Sequence, residues 1–187
     1  ISEVQWRSQV SRKHHMVRRF PEDWKTLFLS PVNASAGENS LRVRTDDRAQ
    51  GISYRSLPLP KPDSLMPLVP AMTPLLTAIG SRLILSSAMR FRPDVAVCSY
   101  IWAAPAVREL RKAGVPVVYD CNDLHAEFYP SRADEAERAF RSLIESADEV
   151  VSSSERLREI CGRGVVVGNG VDLDVFRGRT DDARLPT

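Results

Sequence analysis

Apolar and polar positions along this chain fall into short blocks whose period alternates between that of a strand and that of a helix. The clearest helix spans Asp134 to Asp148. There Ala136, Ala139, Phe140, Leu143, Ile144 and Ala147 recur at i, i+3, i+4, i+7, i+8 and i+11. Asp134 and Glu137 have the spacing of a capping box at its start. Next comes a short buried strand over Glu149 to Ser153, then a helix over Ser154 to Cys161 with Ser154 as N-cap. A second strand over Val165 to Val167 leads into the turn Asn169-Gly170-Val171-Asp172. Strand, helix, strand in that order is the unit of a parallel α/β sheet.

The same alternation reads upstream. Ile1 to Val4 suits a strand remainder, with some native residues expected before it, and Trp6 to Gln9 suits the loop leaving it. Ser11 to Phe20 places Met16, Val17 and Phe20 on one side and basic residues on the other, an amphipathic helix with Ser11 as N-cap and Pro21 as its stop. Thr26 to Ser30 is a near-continuous apolar strand of the kind buried on both faces. Leu41 to Arg44 alternates as an edge strand and Ile52 to Leu57 suits another, after which Pro58, Pro60 and Pro62 are expected to prevent regular structure.

Within Leu65 to Met89, Pro67, Pro70, Pro74 and Arg82 interrupt any membrane span. Thr73 and Pro74 suit the start of a helix with Leu75, Leu76, Ile79 and Leu83 on one face. That face packs on the sheet or touches a lipid interface. Val95 to Ser99 reads as a strand, Pro105 to Ala113 as a helix closed by Gly114, and Val115 to Asp120 as the next strand.

Length and composition narrow the class. The 187 residues suit one domain and are too few for two full Rossmann domains. A net charge of +2 implies no strong nucleic-acid field, and 22 Arg against 4 Lys reads as base composition rather than a phosphate-binding program. Cys98, Cys121 and Cys161 match no metal or disulfide framework; the strand positions of Cys98 and Cys121 suggest buried thiols and a reducing cytosol.

Candidate chemistry follows from the sheet. Ligands of open parallel sheets bind outside the carboxyl ends of the strands. That rule selects Gln5 to His15, Ser99 to Trp102, Asp120 to Tyr129, Ser152 to Glu155, and Asn169 with Gly170. The segment DCNDLHAEFY delivers Asp120, Asn122, Asp123, His125 and Glu127 directly after a buried strand. Functional use of at least one stands beside local capping by Asp120 or Asp123. A metal held by Asp123, His125 and Glu127 is a weaker alternative, because no established ligand spacing is present. In the first loop Arg12 and Lys13 suit an anionic acceptor or a donor diphosphate. The alternative there is a solvated basic helix with His14 or His15 resting on the sheet.

The patterns A-D-x-V-V-x-x-S-x-x-L over Ala147 to Leu157 and V-x-N-G-V-D-x-x-x-F over Val167 to Phe176 carry a specific likeness. They resemble the end of the N-terminal domain of a GT-B glycosyltransferase of glycosyltransferase family 4, and VVYDCND resembles members that act in cell-surface polysaccharide synthesis. The resemblance implies a Rossmann-like acceptor-binding domain over residues 1–176, with 177–187 a linker or tail toward a second, donor-binding domain. It implies transfer of a sugar from a nucleotide-sugar to a glycan or lipid-linked acceptor, no required metal, and no activity without the second domain. A cytoplasmic place follows, with peripheral contact at the inner membrane face as a variant. Asp123 comes first among the implied catalytic groups, with Asp120 and His125 beside it. Asn122, Arg12, His14, His15, Trp102, Asn169 and Gly170 are the implied substrate contacts. Asn122 stands where the family usually has His, and the first loop lacks the family's Gly-Gly pair. A non-catalytic nucleotide- or sugar-binding module is the competing expectation.

Overall fold

Two runs of strands share one layer, and a three-residue extended segment joins them. The computed structural model describes residues 1–3, 6, 10–32, 44–45, 51–60, 73–170 and 173. In chain order the elements are α1 (Arg12–Val17), β1 (Thr26–Val32), β2 (Arg44–Thr45), β3 (Ile52–Pro60), α2 (Thr73–Phe91), β4 (Ala96–Cys98), α3 (Ala104–Lys112), β5 (Val117–Cys121), α4 (His125–Phe128), α5 (Ala133–Ser146), β6 (Glu149–Ser152), α6 (Glu155–Cys161) and β7 (Val165–Val166). The order β4-β5-β6-β7 is parallel throughout. In the other run, β1-β3-β2, β1 pairs in parallel with β3, and β2 pairs antiparallel at Ser53 and Tyr54.

Residues 1–3 connect the two runs. Ser2 N–H donates to Leu29 O at 2.8 Å on β1. On the other side Ser99 N–H donates to Ile1 O at 3.0 Å, and Ile1 N donates to Val97 O at 2.6 Å. One residue bonding to two alternate residues of a neighbour is the pattern of a parallel ladder. Of the strand expected over Ile1 to Val4, Ile1 and Ser2 make these ladder-type bonds and the chain bends at Glu3; Val4, Gln5, Arg7 and Gln9 lie outside the described residues. The whole is an α/β, Rossmann-like sheet flanked by helices.

Alternation along the strands sends side chains to two cores. Phe28, Ile52 and Tyr54 pack with Trp6 and Val17 under α1. Leu29 and Leu57 point to the opposite side and join the larger core of Ile84, Val107, Leu110, Val117, Tyr119, Phe140, Leu143 and Val150. Helices α2, α3 and α5 supply that face. Each large side chain fully withdrawn from water contributes about 1.5–3 kcal/mol, so Leu110, Leu143 and Tyr119 are main anchors.

Helix ends follow local chemistry. Ser154 Oγ accepts from Leu157 N–H at 3.3 Å, and Gly162, at φ 72°, ends α6 in the left-handed region. At the end of α3, Gly114 N–H donates to Arg111 O at 2.9 Å and Val115 N–H to Leu110 O at 3.1 Å. This double closure consumes Val115, so β5 starts two residues later than its apolar run.

Four expectations are corrected. Helix α5 starts at Ala133 with Arg132 as its cap residue and no side-chain cap, so the Asp134/Glu137 box does not form. Helix α1 ends at Val17 rather than Phe20. Strand β3 continues through Pro58 to Pro60. The antiparallel neighbour reaches only Ser53 and Tyr54, so no ladder bond to β2 is lost at those prolines. On α2 the buried residues are Ser81, Ile84, Ser87 and Ala88, while Leu75 is 57% exposed and Ile79 is exposed. Of the expected edge strand, Leu41 to Val43 lie outside the described residues, as do residues 61–72, Val171, Asp172 and residues 174–187.

Candidate functional site

The carboxyl end of β5 is the point where three distant pieces of chain meet. Asp120 occupies the penultimate position of that strand and is 1% exposed. Its alternation places it on the face opposite Tyr119, toward α1. Arg12, the first residue of α1, donates to Asp120 Oδ1 from Nε at 3.4 Å and from Nη2 at 3.3 Å. The remaining nitrogen, Nη1, donates to Gly168 O and Asn169 Oδ1, each at 3.0 Å. One guanidinium therefore ties the start of α1, the end of β5 and the bend after β7. Asp120 Oδ2 is buried and accepts no hydrogen bond among the described residues.

A second tie lies beside the first. Lys13, 4% exposed, is ion-paired with Glu3, whose Oε2 accepts from Ser99 Oγ at 3.0 Å. A buried ammonium is tolerated because a carboxylate faces it. Glu3 escaped sequence reading because its partners Lys13 and Ser99 are ten and ninety-six residues away, whereas Ser99 begins one of the loops selected there.

The other polar groups after β5 sit at different depths. Asn122 Nδ2 donates to Asp123 Oδ2 at 2.6 Å, and both residues are half-buried. Asn122 O in turn accepts from Ser153 Oγ at 3.2 Å, which fixes this turn to the end of β6. Asn122 Oδ1 is buried with no partner among the described residues. His125 is buried in the first turn of α4, its ring centroid 6.3 Å from that of Phe128. Trp102 is buried beneath the Arg132 guanidinium, which lies 4.7 Å from the ring centre, with Tyr129 edge-on at 5.7 Å. Arg132 also pairs with Glu135. No sequence pattern marked Arg132 as Trp102's cover.

His14 requires a correction. It is 0% exposed, stacked between Trp6 at 5.2 Å and Phe28 at 5.4 Å between ring centroids. Ser11 N–H donates to its Nδ1 at 3.1 Å, so the ring closes the cap of α1. It has no surface to offer a substrate here, and the alternative of a histidine resting on the sheet is the one realised.

His15 is placed differently. With Arg12, Met16, Arg19, Val167, Asn169 and Gly170 it lines a groove of about 470 Å³ between α1 and the bend after β7. Arg19 Nη1 lies 3.3 Å from His15 Nδ1 and donates to His15 O at 3.2 Å. A Cβ on Gly170 would meet no atom within 4 Å, so this residue faces open space. A mainly apolar cavity of about 130 Å³ lies beside Ile1 between β1 and β4, with Leu27, Phe91, Val95 and Ala96 in its wall and Lys13, Ser99 and Asp120 at the side shared with the two ties. Among the described residues no group of three or more His, Cys, Asp or Glu is arranged to hold a metal ion.

Polar strand ends, the joined bend and the strand order describe a Rossmann-like α/β domain, and the comparison with known families says which. The family model described as glycosyl transferase 4-like domain matches residues 6–171. The chain belongs to this family. No curated protein matches the sequence. In this glycosyl transferase 4-like domain the matched region spans every described element from α1 to β7. It therefore has the α/β architecture of a family 4 N-terminal domain, with sugar donors and acceptors as its general substrate class. Of the implied contacts, Arg12, His15, Asn169 and Gly170 share the groove of the glycosyl transferase 4-like domain, and Asp120 is joined to them through Arg12. Asn122 and Asp123 form their own pair, while His125 and Trp102 are withdrawn beneath neighbouring side chains.

Proposed function

We propose that this chain is the acceptor-binding N-terminal half of a glycosyltransferase that moves a sugar from a nucleotide-sugar to a hydroxyl of a glycan or lipid-linked acceptor. The observation that carries the reading is the Arg12 tie. It ties the start of α1 and the β5 carboxyl end to the Gly168–Asn169 bend, and the groove lined by Arg12, His15, Arg19, Asn169 and Gly170 opens beside that tie. Transfer requires an acceptor hydroxyl aligned with the donor, a group to take its proton, and positive charge for the leaving diphosphate. Asp123, half-buried and aligned by Asn122, suits the first two roles. Asp120, which is paired with Arg12, and His125 are the further catalytic groups of this reading. Arg12, His15 and the adjacent Arg19 suit an anionic group in the groove.

A second, donor-binding domain beyond the 177–187 tail would complete the enzyme, and the isolated N-terminal half would be inactive. The reaction would be of the hexosyltransferase type, would need no metal, and would serve cell-surface polysaccharide synthesis on the cytoplasmic side. No helix among the described residues is long and apolar enough to cross a membrane. Exposed Leu75, Ile79, Met89 and Phe91 on α2 favour peripheral contact with a membrane surface.

The test joins this half to a family 4 C-terminal domain and measures nucleotide-sugar turnover with a lipid-diphosphate acceptor. Asp123→Ala should lower kcat by about 100-fold or more, in line with loss of a positioned proton acceptor. Turnover unchanged by that substitution would remove Asp123 from the chemistry. Absence of turnover with retained nucleotide-sugar binding would favour a non-catalytic binding module.

A further inference from the structure

The mechanism above leaves two buried thiols unused. Cys121 ends β5 and stands in register opposite Ser152 on β6, so the two side chains share one face of the sheet. Helix α6 covers that face, and its last residue is Cys161. Ser152 Oγ donates to Cys161 Sγ at 3.9 Å, which brings the Cys161 sulfur to the side chain that neighbours Cys121 across the ladder. Side chains from β5, β6 and α6 thus converge, two of the three oxidisable. The third cysteine, Cys98, lies on β4 and donates to Tyr100 O at 3.6 Å.

We propose that Cys121 and Cys161 form a reversible disulfide that fixes the last turn of α6 to the end of β5, next to Asp120 and Asn122. The two thiols are unequal, which gives the exchange a direction. Hydrogen bonds from Cys121 and Ser152, with the Arg141 charge nearby, hold the Cys161 thiol down at about 7. Donation to Cys161 and burial push the Cys121 thiol up. Cys161 also retains slight exposure, whereas Cys121 has none.

The oxidant is a low-molecular-weight disulfide such as oxidised glutathione. The Cys161 thiolate attacks one of its sulfurs, forming a mixed disulfide and releasing one glutathione thiolate, which takes up a proton. Cys121 then loses its proton to solvent and attacks Cys161 Sγ, expelling the second glutathione thiolate. Two protein thiols are oxidised by two electrons, and one glutathione disulfide is reduced to two thiols. The bond would add a covalent link from the last turn of α6 to the β5 end that carries the Arg12 tie, an end already laddered to β6 at Cys121 and Ser152.

The experiment incubates the purified full chain with millimolar oxidised glutathione, blocks remaining thiols under denaturing conditions, and maps peptides by mass. The expected result is loss of two of the three thiols, a mass lower by about 2 Da, and one linked peptide pair containing Cys121 and Cys161. Dithiothreitol should reverse all three changes. In Cys161→Ser, Cys121 should remain a thiol after the same exposure. Recovery of both wild-type thiols unmodified would overturn the proposal, as would a stable glutathione adduct on Cys161 with Cys121 still free.

Discussion

The Arg12 guanidinium reaches Asp120 across 108 residues of chain, with Nη2 at 3.3 Å from Oδ1. Asp120 is almost wholly buried, and Arg12 is its partner among the described residues. Removing a cation from such a pair leaves an uncompensated charge in a dry site. Arg12→Ala should therefore destabilise the domain by about 3 kcal/mol, read as a lower urea midpoint. The double variant with Asp120→Ala should recover part of that loss. Equal destabilisation by the single and double variants fits this picture less than recovery does, and full additivity would show that the two groups do not interact.

Gly164 and Gly170 separate backbone need from ligand need. At Gly164, φ is 96° and an added Cβ would lie 2.1 Å from Val150 O, a backbone atom that cannot step aside cheaply. Gly164→Ala should cost more than about 1 kcal/mol and lower the melting temperature. At Gly170 the added methyl meets nothing, so Gly170→Ala should leave the melting temperature within error. If the groove it lines holds substrate, the same variant should raise KM in the joined enzyme. A fall in melting temperature at Gly170 comparable with that at Gly164 would contradict this division.

These residues also show what was legible beforehand. Apolar periodicity located α5, β5, β6 and α6 because packing and backbone propensity agree there, and Ser154 announced the start of α6. The rule that ligands gather at strand carboxyl ends led to Asp120, Asn122 and Asn169. It could not say that Asp120 would be withdrawn under Arg12, since that pairing is a tertiary contact. His14 looked like a ligand residue by type, yet Trp6 and Phe28 enclose it, and no local spacing encodes three rings from three segments. The inward face of α2 was misplaced for a related reason. Small polar Ser81 and Ser87 are buried there, with Ser87 Oγ donating to Leu83 O at 2.7 Å, while larger apolar neighbours stay exposed.

The corrected start of α5 is open to a direct comparison with α6. Ser154 Oγ accepts from Leu157 N–H, so Ser154→Ala should cost about 1 kcal/mol. Asp134 lies inside the first turn of α5 without a capping bond, so Asp134→Ala should lose only the weak attraction between a carboxylate and the helix N-terminus, about 0.3–1 kcal/mol, with salt closing most of the gap. Chemical denaturation at low and high ionic strength distinguishes the two. A salt-independent loss of about 1 kcal/mol at Asp134 would mean that it caps the helix after all.

Asp148 gives a pH signature that belongs to the scaffold rather than to the site. Its Oδ2 accepts from Val117 N–H at 2.9 Å at the start of β5, and its Oδ1 accepts from Arg111 Nε at 3.0 Å at the end of α3. The backbone hydrogen bond foremost, then Arg111 and the charge of Arg163, hold the carboxyl below its ordinary 3.8. A carboxyl whose folded value is depressed binds fewer protons in the folded chain than in the unfolded one. Its stabilisation is fully present above the ordinary value and disappears as pH falls through the lowered one. Asp148→Asn should therefore have a lower urea midpoint than the parent near neutral pH, and the two midpoints should converge as pH falls below the ordinary carboxyl value and through the lowered one. The group is solvent-facing, so raising the salt concentration should narrow the neutral-pH gap as well. A gap that stays constant down to the acid limit would mean that the substitution acts through side-chain shape and not through the charge that holds the Val117 amide.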